Sequence, residues 1–312
     1  MIRKSAKRFS DKIMLKQEAM IRKSVKRFSD KIMLKQEAMI RKSAKRFSEH
    51  HAQTRSDAKA ASMREWLDDL RTATAFLTRL PMPHPDGARP ENFARMQRMF
   101  PLVGALIGAA IGLACLLLRA IGVPDLAAAA LALGGGALLT GALHEDGLAD
   151  VADGFGGGRD VAAKLEIMRD SRLGTYGALA LLVGFAAKLA ALAAIPDGVV
   201  VQSLIAAHAL GRGVLPWIVI SLPYARTDGL AANAGRPEGS IAAIAAGIAL
   251  LVALLALPFA SAILAAIAAA AAALIMGLLA KRQIGGLTGD VLGGAEQVAE
   301  VAILVLLAAR LG

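Results

Sequence analysis

The stretch His144-Glu145-Asp146-Gly147-Leu148-Ala149-Asp150-Val151-Ala152-Asp153-Gly154 spaces Asp146, Asp150 and Asp153 at i, i+4 and i+7. On a helix that spacing sets three carboxylates on one face. Like charges so close repel unless a cation holds them, and a hard ion that takes oxygen ligands, magnesium above all, suits them. His144 and Glu145 add a candidate base or a further ligand. Gly154, Gly156, Gly157 and Gly158 make the following turn open to close ligand approach. Next comes Arg169-Asp170-Ser171-Arg172-Leu173-Gly174-Thr175-Tyr176-Gly177. An arginine fork fits phosphate oxygens bidentately, so Arg169 and Arg172 beside a metal-binding acidic loop suit a diphosphate; the competing role for Arg172 is to anchor a helix end at lipid headgroups. The third constellation is Gly285-Gly286-Leu287-Thr288-Gly289-Asp290-Val291-Leu292-Gly293-Gly294, followed by Glu296 and Glu300. A glycine-rich loop entering a helix offers backbone N–H groups to an anion, with Gly286, Thr288 and Gly289 as substrate contacts and Asp290 as a further metal or hydroxyl contact. The earlier cluster of Gly154, Gly156, Gly157 and Gly158 is not a Walker loop, because no Gly-Lys-Ser/Thr follows it.

The elements that must position these residues are membrane helices. Of the 312 residues, 56% are hydrophobic but only 4% aromatic, with a mean hydropathy of +0.53, above the balance of an ordinary soluble domain. Apolar runs near 100–118, 125–143, 175–195, 200–222, 241–257, 260–280 and 295–311 are each close to the roughly 20 residues a span needs. They predict an all-α polytopic transmembrane bundle of about seven spans, with the fifth and sixth divided only by Pro258. Gly104, Gly108 and Gly112 repeat every four residues in the first span and predict a close helix–helix approach. Cys115 is alone, which excludes a disulfide framework or a thiolate metal site.

The net charge of +11 belongs to one segment. Residues 1–50 hold 16 Lys/Arg against 5 Asp/Glu, while the remainder is balanced, so no nucleic-acid partner is expected. Residues 1–19 recur at 20–38 with Ala6 replaced by Val25, and a third copy fades after Ser48. The division expected is a basic tandem-repeat arm over 1–62, disordered or lying on the bilayer as an amphipathic helix, and a membrane catalytic domain over 63–312. Met63 is an alternative beginning for that domain, which would make the arm dispensable. Loops after even-numbered spans carry Arg159, Lys164, Arg169, Arg172, Arg226, Arg236, Lys281 and Arg282, while those after odd-numbered spans carry little beyond Arg119. The positive-inside rule then puts the N-terminus and all three motifs on the cytoplasmic face of an inner membrane. Lys188, His208 and Arg212 lie within apolar spans, where ionisable groups are costly and functional by default. His208 and Arg212 are one turn apart and fit one polar cavity, whereas Lys188 either snorkels or pairs with an acid, with a substrate contact as the alternative. Glu296 and Glu300, four apart near the start of the last span, are not expected at the surface.

Together these segments resemble the cobalamin synthase (adenosylcobinamide-GDP ribazoletransferase) family. The resemblance rests on Phe76-Leu77-Thr78-Arg79-Leu80-Pro81-Met82-Pro83, Phe100-Pro101-Leu102-Val103-Gly104, the His144–Gly154 acidic motif, Arg169–Gly177 and Gly285–Gly293. They run in the family's order from about residue 65 to the C-terminus and leave out only the arm. The resemblance implies an integral membrane enzyme that joins α-ribazole, or its 5′-phosphate, to adenosylcobinamide-GDP and releases GMP, with magnesium as cofactor. Asp146, Asp150 and Asp153 would hold the metal on the diphosphate, Arg169 and Arg172 would neutralise the leaving GMP, and His144 or Glu145 would take the hydroxyl proton. Arg79, His208 and Arg212 join the glycine-rich loop as substrate-binding candidates. A phosphatidyl-alcohol transferase also uses spaced aspartates, but its Asp-Gly-x-x-Ala-Arg opening is absent, since Asp146-Gly147-Leu148-Ala149 continues with Asp150. A transporter would account for the spans and buried charges but not for three motifs on one face, and no inverted halves are visible.

Overall fold

A computed structural model describes residues 63–82, 90–226 and 235–312. The repeat arm therefore lies outside the described residues. The helices are α1 (63–77), α2 (Pro90–Met96), a 3-10 turn (Gln97–Met99), α3 (Phe100–Ala120), α4 (Asp125–Thr140), α5 (Leu143–Gly157), α6 (Val161–Ile167), α7 (Thr175–Ala194), α8 (Asp197–Gly213), α9 (Leu215–Ser221), α10 (Gly239–Ala256), α11 (Phe259–Ile284) and α12 (Gly289–Leu311). Apart from one isolated parallel bridge between Tyr224 and Leu287, no strand pairing occurs among the described residues.

Local chemistry sets several boundaries. Pro124, Pro196 and Pro258 stand at the caps of α4, α8 and α11, where a ring without an N–H ends any helix arriving from upstream. Pro258 thus divides α10 from α11 into two crossings. Six stretches are long and apolar enough to span: Asn92–Ala120, α7, Asp197–Ser221 (α8 with α9), α10, α11 and α12. Helix α4, at 16 residues, meets α5 at 91°, and the bent pair counted as one span brings the total among the described residues to seven. The outward side chains are Leu, Ile and Phe, among them Leu117, Leu138, Leu182, Leu255, Phe259 and Leu274. Contiguous apolar surface of this kind needs lipid around it, and the chain is a multi-pass membrane protein.

Helix α8 is the axis of the bundle: 78% of its apolar stretch is buried, against 22% for α7 and for α10. The glycine repeat explains how α3 reaches it. Gly104, Gly108 and Gly112 face the main chain of His208, Leu204 and Val201, and a Cβ at any of them would collide with that backbone. The packing expected of the repeat is present.

The loops that carry the motifs meet at one end of the bundle. Gly174 N–H donates to Asp153, Leu287 N–H to Pro223 O and Ala225 N–H to Leu287 O, while Lys164 Nζ reaches Gln283. At the other end Arg119 ties α3 to Leu192 O, Ile195 O and Asp197.

Candidate active site

The corner between α4 and α5 starts the site. Gly141 (φ 69°) and Ala142 (φ 55°) are consecutive left-handed residues, which a Cβ tolerates poorly at Ala142. They turn the chain through about a right angle, so that α5 packs between α7 and α12. It can lie close because Gly147 is bare: a Cβ there would stand 2.8 Å from Asp290 O and 3.1 Å from the Gly293 Cα. This backbone contact sets Asp146 and Asp150 of α5 beside Asp290 in the first turn of α12.

The acidic segment, expected as a loop, is helical, and its three aspartates divide. Asp146 is exposed and Asp150 half-buried, and neither side chain has a hydrogen bond or ion pair to another described residue. Asp153 is buried and accepts from Gly174 N–H at 2.7 Å and Gly177 N–H at 2.8 Å. It caps α7 from across the bundle, with one oxygen on each N–H. Asp290 takes its place near the other two. Its one ionic partner among the described residues is Arg226, Nη2 to Oδ2 at 3.2 Å.

Arg226 is held by the glycine-rich loop. Pro223, Tyr224 and Ala225 form a short strap along Leu287, closed by the two main-chain bonds at 2.8 and 2.9 Å. A side chain at Gly286 would collide with Pro223 O, so glycine is required where the strap crosses. Thr288 caps α12 by accepting from Val291 N–H at 3.3 Å. Gly286 thus serves the strap, while Thr288, Gly289 and Asp290 face a cavity.

That cavity, about 250 Å³, lies between α1, α2, α5, α9 and the start of α12. His144, Asp146, Tyr224, Arg226, Thr288 and Asp290 line one part; Phe76, Leu77, Phe93, Met96, Phe100 and Val219 line the other. Helix α1 is fixed over it by Asp69, which is buried and pairs with Arg95 at 3.0 Å and Arg98 at 2.6 Å. The Arg98 guanidinium also lies 3.9 Å above the Trp66 ring.

Behind His144 runs a buried charged network. Glu296 (0% exposed) pairs with Arg212 Nη1 at 2.5 Å and accepts from Gln297 Nε2 at 2.9 Å. Glu300 (1% exposed) accepts from Lys188 Nζ at 3.2 Å, and His208 Nδ1 lies 3.2 Å from its other oxygen. Glu296 Oε2 and Arg212 Nη2 each lie 3.3 Å from His144 Nδ1. His208, Glu296 and Glu300 form a group of metal-type donors whose ligand atoms all lie within 4.8 Å. Arg212 and Lys188 already neutralise its two carboxylates. Lys188 pairs with an acid, and both glutamates are buried, as the sequence indicates.

The other expected site residues are placed as follows. His208 and Arg212 share one polar cluster but do not line the cavity; they reach it only through His144. Glu145 turns to the opposite side of α5, 3.8 Å from Lys188. Arg79 is exposed and lies over Gly141 at the α4–α5 corner. Arg169 and Arg172 are exposed on the loop before α7, and neither lines the cavity. Hydrogen bonds from Arg172 hold the Asp170 carboxyl down to about 2, so this arginine is engaged at the surface. The sequence reading missed Arg226, taken only as a topological charge, and Gln97 and Gln297, which no motif marked.

A family model described as cobalamin-5-phosphate synthase matches residues 69–308. The chain is 46% identical over 249 residues to an adenosylcobinamide-GDP ribazoletransferase of Bradyrhizobium diazoefficiens, covering 80% of this chain and 96% of the relative. Proteins of the same name from Sinorhizobium medicae (43% identity; 79% of this chain, 98% of the relative) and Ralstonia nicotianae (40%; 80% and 98%) are similar over the same extent. No solved structure matches the chain.

Proposed function

The chain belongs to the cobalamin-5-phosphate synthase family, and we propose that the cavity beside α5 is where it carries out the family's transfer. It acts as an adenosylcobinamide-GDP ribazoletransferase, joining adenosylcobinamide-GDP to α-ribazole or its 5′-phosphate. A ribose hydroxyl attacks the phosphorus that stays with the cobinamide, a new P–O bond forms, the bond to GMP breaks, and the hydroxyl proton is taken up. Transfers of this type rest on positioning and charge neutralisation.

The observation that carries this reading is the meeting of Asp146, Asp290 and Arg226 at one cavity, with Asp150 one turn along α5 close enough to feel both carboxylates. Three carboxylates with one arginine among them make an oxygen donor set of net negative charge, which fits a hard divalent cation. Asp146, Asp150 and Asp290 would hold magnesium, with Asp153 supporting α5 and α7 from behind. When bound, magnesium neutralises diphosphate oxygens. Arg226, whose Nη1 is buried without a hydrogen-bond partner, offers its remaining donors to the same oxygens. Of the two candidates for the hydroxyl proton, His144 is in the cavity wall and Glu145 is not. The loops that bear the site face the cytoplasm of an inner membrane, in keeping with their excess of arginine and lysine.

Detergent-solubilised chain given adenosylcobinamide-GDP, α-ribazole phosphate and magnesium should release GMP. Chelation should abolish release, and added magnesium should restore it. Folded protein that releases none removes the activity; release that survives chelation removes the metal assignment alone.

A further inference from the structure

The two halves of the cavity differ in kind, and only the polar half is used by the diphosphate chemistry. The other half is aromatic and aliphatic: Phe76 stacks on Phe100 with centroids 6.0 Å apart and planes within 2°, and Phe93, Leu77 and Val219 complete the walls. One polar side chain stands there. Gln97, only 5% exposed, lines the cavity, and its Oε1 has no hydrogen-bond partner. Buried amide atoms are nearly always matched within the protein, so an unmatched one in a cavity wall points to a partner that arrives with a ligand. An amide offers both a donor and an acceptor, and it can be turned to present either.

Size limits the ligand. About 250 Å³ falls below the roughly 300–1,000 Å³ of sites that engulf a drug-sized molecule. The apolar half is only part of that volume, room for no more than one flat ring system, and the cavity excludes a corrinoid macrocycle. An apolar wall that carries the stacked Phe76 and Phe100 together with Phe93, and a single amide, matches a flat aromatic heterocycle bearing one ring nitrogen free to accept a hydrogen bond.

Resting on the activity given above, we propose that this half is the subsite for the azole base of the acceptor nucleoside. Phe76 and Phe93 grip the base, and Gln97 binds its free ring nitrogen. The ribose then extends toward His144 and Asp146, while the corrinoid part of the donor stays outside and sends in only its diphosphate. The cavity would therefore set which base is accepted and leave donor recognition to Arg226 and the acidic set.

The test varies each substrate of the full-length, detergent-solubilised protein in turn. Gln97→Leu should raise KM for α-ribazole phosphate about fivefold to tenfold, the worth of an ordinary hydrogen bond, and leave KM for adenosylcobinamide-GDP within about twofold. Val219→Phe, which fills the apolar half, should do the same more strongly. Free benzimidazole on the wild-type protein needs no variant to fold. It should inhibit competitively against α-ribazole phosphate and not against the donor. Equal rises for both substrates in folded variants, or benzimidazole that competes with the donor or does not inhibit, would overturn the subsite. Direct binding of benzimidazole, followed by its fluorescence and weakened by Val219→Phe, needs no turnover. It separates failure of the subsite from failure of the activity.

Discussion

Replacing Arg212 with methionine removes one cation from a buried set whose charges balance. Glu296 is 0% exposed and would lose its 2.5 Å ion pair, keeping Gln297 Nε2 at 2.9 Å as its neutral donor. Stranding one member of a buried pair costs about 3–5 kcal/mol, because the other charge stays out of water without compensation. For a domain of this size each kcal/mol moves the unfolding midpoint by about 2–4 °C, so Arg212→Met should melt roughly 6–20 °C below wild type. Adding Glu296→Leu removes the stranded charge, and the double variant should regain most of the loss. Thermal unfolding in detergent of the four proteins in this cycle gives the coupling directly. Activity should not return with stability. His144 Nδ1 has Glu296 and Arg212 as its neighbours at 3.3 Å, and the double variant leaves the ring unheld. An Arg212→Met midpoint within about 2 °C of wild type, or a double variant that melts below both singles, would refute the account of the network. A stable double variant with the full rate of GMP release would refute its link to His144.

Arg226→Ala should lower kcat/KM for the GDP-bearing donor by about 10- to 100-fold, the worth of hydrogen bonds to a charged group, while Arg172→Ala stays within about twofold; steady-state kinetics showing the reverse order would return the phosphate contact to the loop before α7. Asp146→Asn should cut GMP release by more than about 100-fold at any magnesium concentration. Asp153→Asn should instead cost about 1 kcal/mol through the weakened cap of α7; a magnesium titration and a melting curve on each variant separate the two roles, and matching magnesium profiles would erase the distinction. Gly147→Ala sets a methyl 2.8 Å from Asp290 O and should destabilise by about 1–3 kcal/mol, with a larger fall in rate than in stability, since it drives Asp290 away from Asp146; unaltered melting and rate would show that α5 and α12 do not meet there.

The spans were legible because apolar runs and Pro124, Pro196 and Pro258 are local signals. Lys188, Glu296 and Glu300 were legible for a different reason. A charge in an apolar run must be matched by another, and the chain holds few to choose from. The acidic motif carried the spacing of one helix face, but how its aspartates are partnered depends on residues far along the chain. Asp153 is occupied by N–H groups 21 and 24 residues downstream, and no spacing rule reports that. Arg169 and Arg172 have the right chemistry, yet exposure is a tertiary property, and the loop before α7 stays outside the cavity. Arg226 was hidden because its signal is a pairing between the strap and the glycine-rich loop. Once Gly286 is seen to need room for Pro223 O, the residue three positions beyond Pro223 is carried to Asp290.

Two clusters of acids lie within the same few turns, and their counter-charges decide which one suits a cation. Glu296 and Glu300, with His208, have the tighter donor geometry, all within 4.8 Å. Arg212 and Lys188 bring that set to neutrality, and a divalent ion added to it would be opposed by two fixed cations in a poorly screened interior. Asp146, Asp150 and Asp290 are more loosely gathered, with Arg226 alone against them. Their charge is unbalanced toward the cavity that Asp146 and Asp290 line, and on the function proposed above a cation and a diphosphate would arrive together from that side. A substrate that brings its own oxygens completes a loose carboxylate set better than a closed one, since the ion keeps positions open for phosphate. The closed set then acts as a brace, locking α7, α8 and α12 to His144 so that the wall facing the substrate stays rigid while the open set receives it.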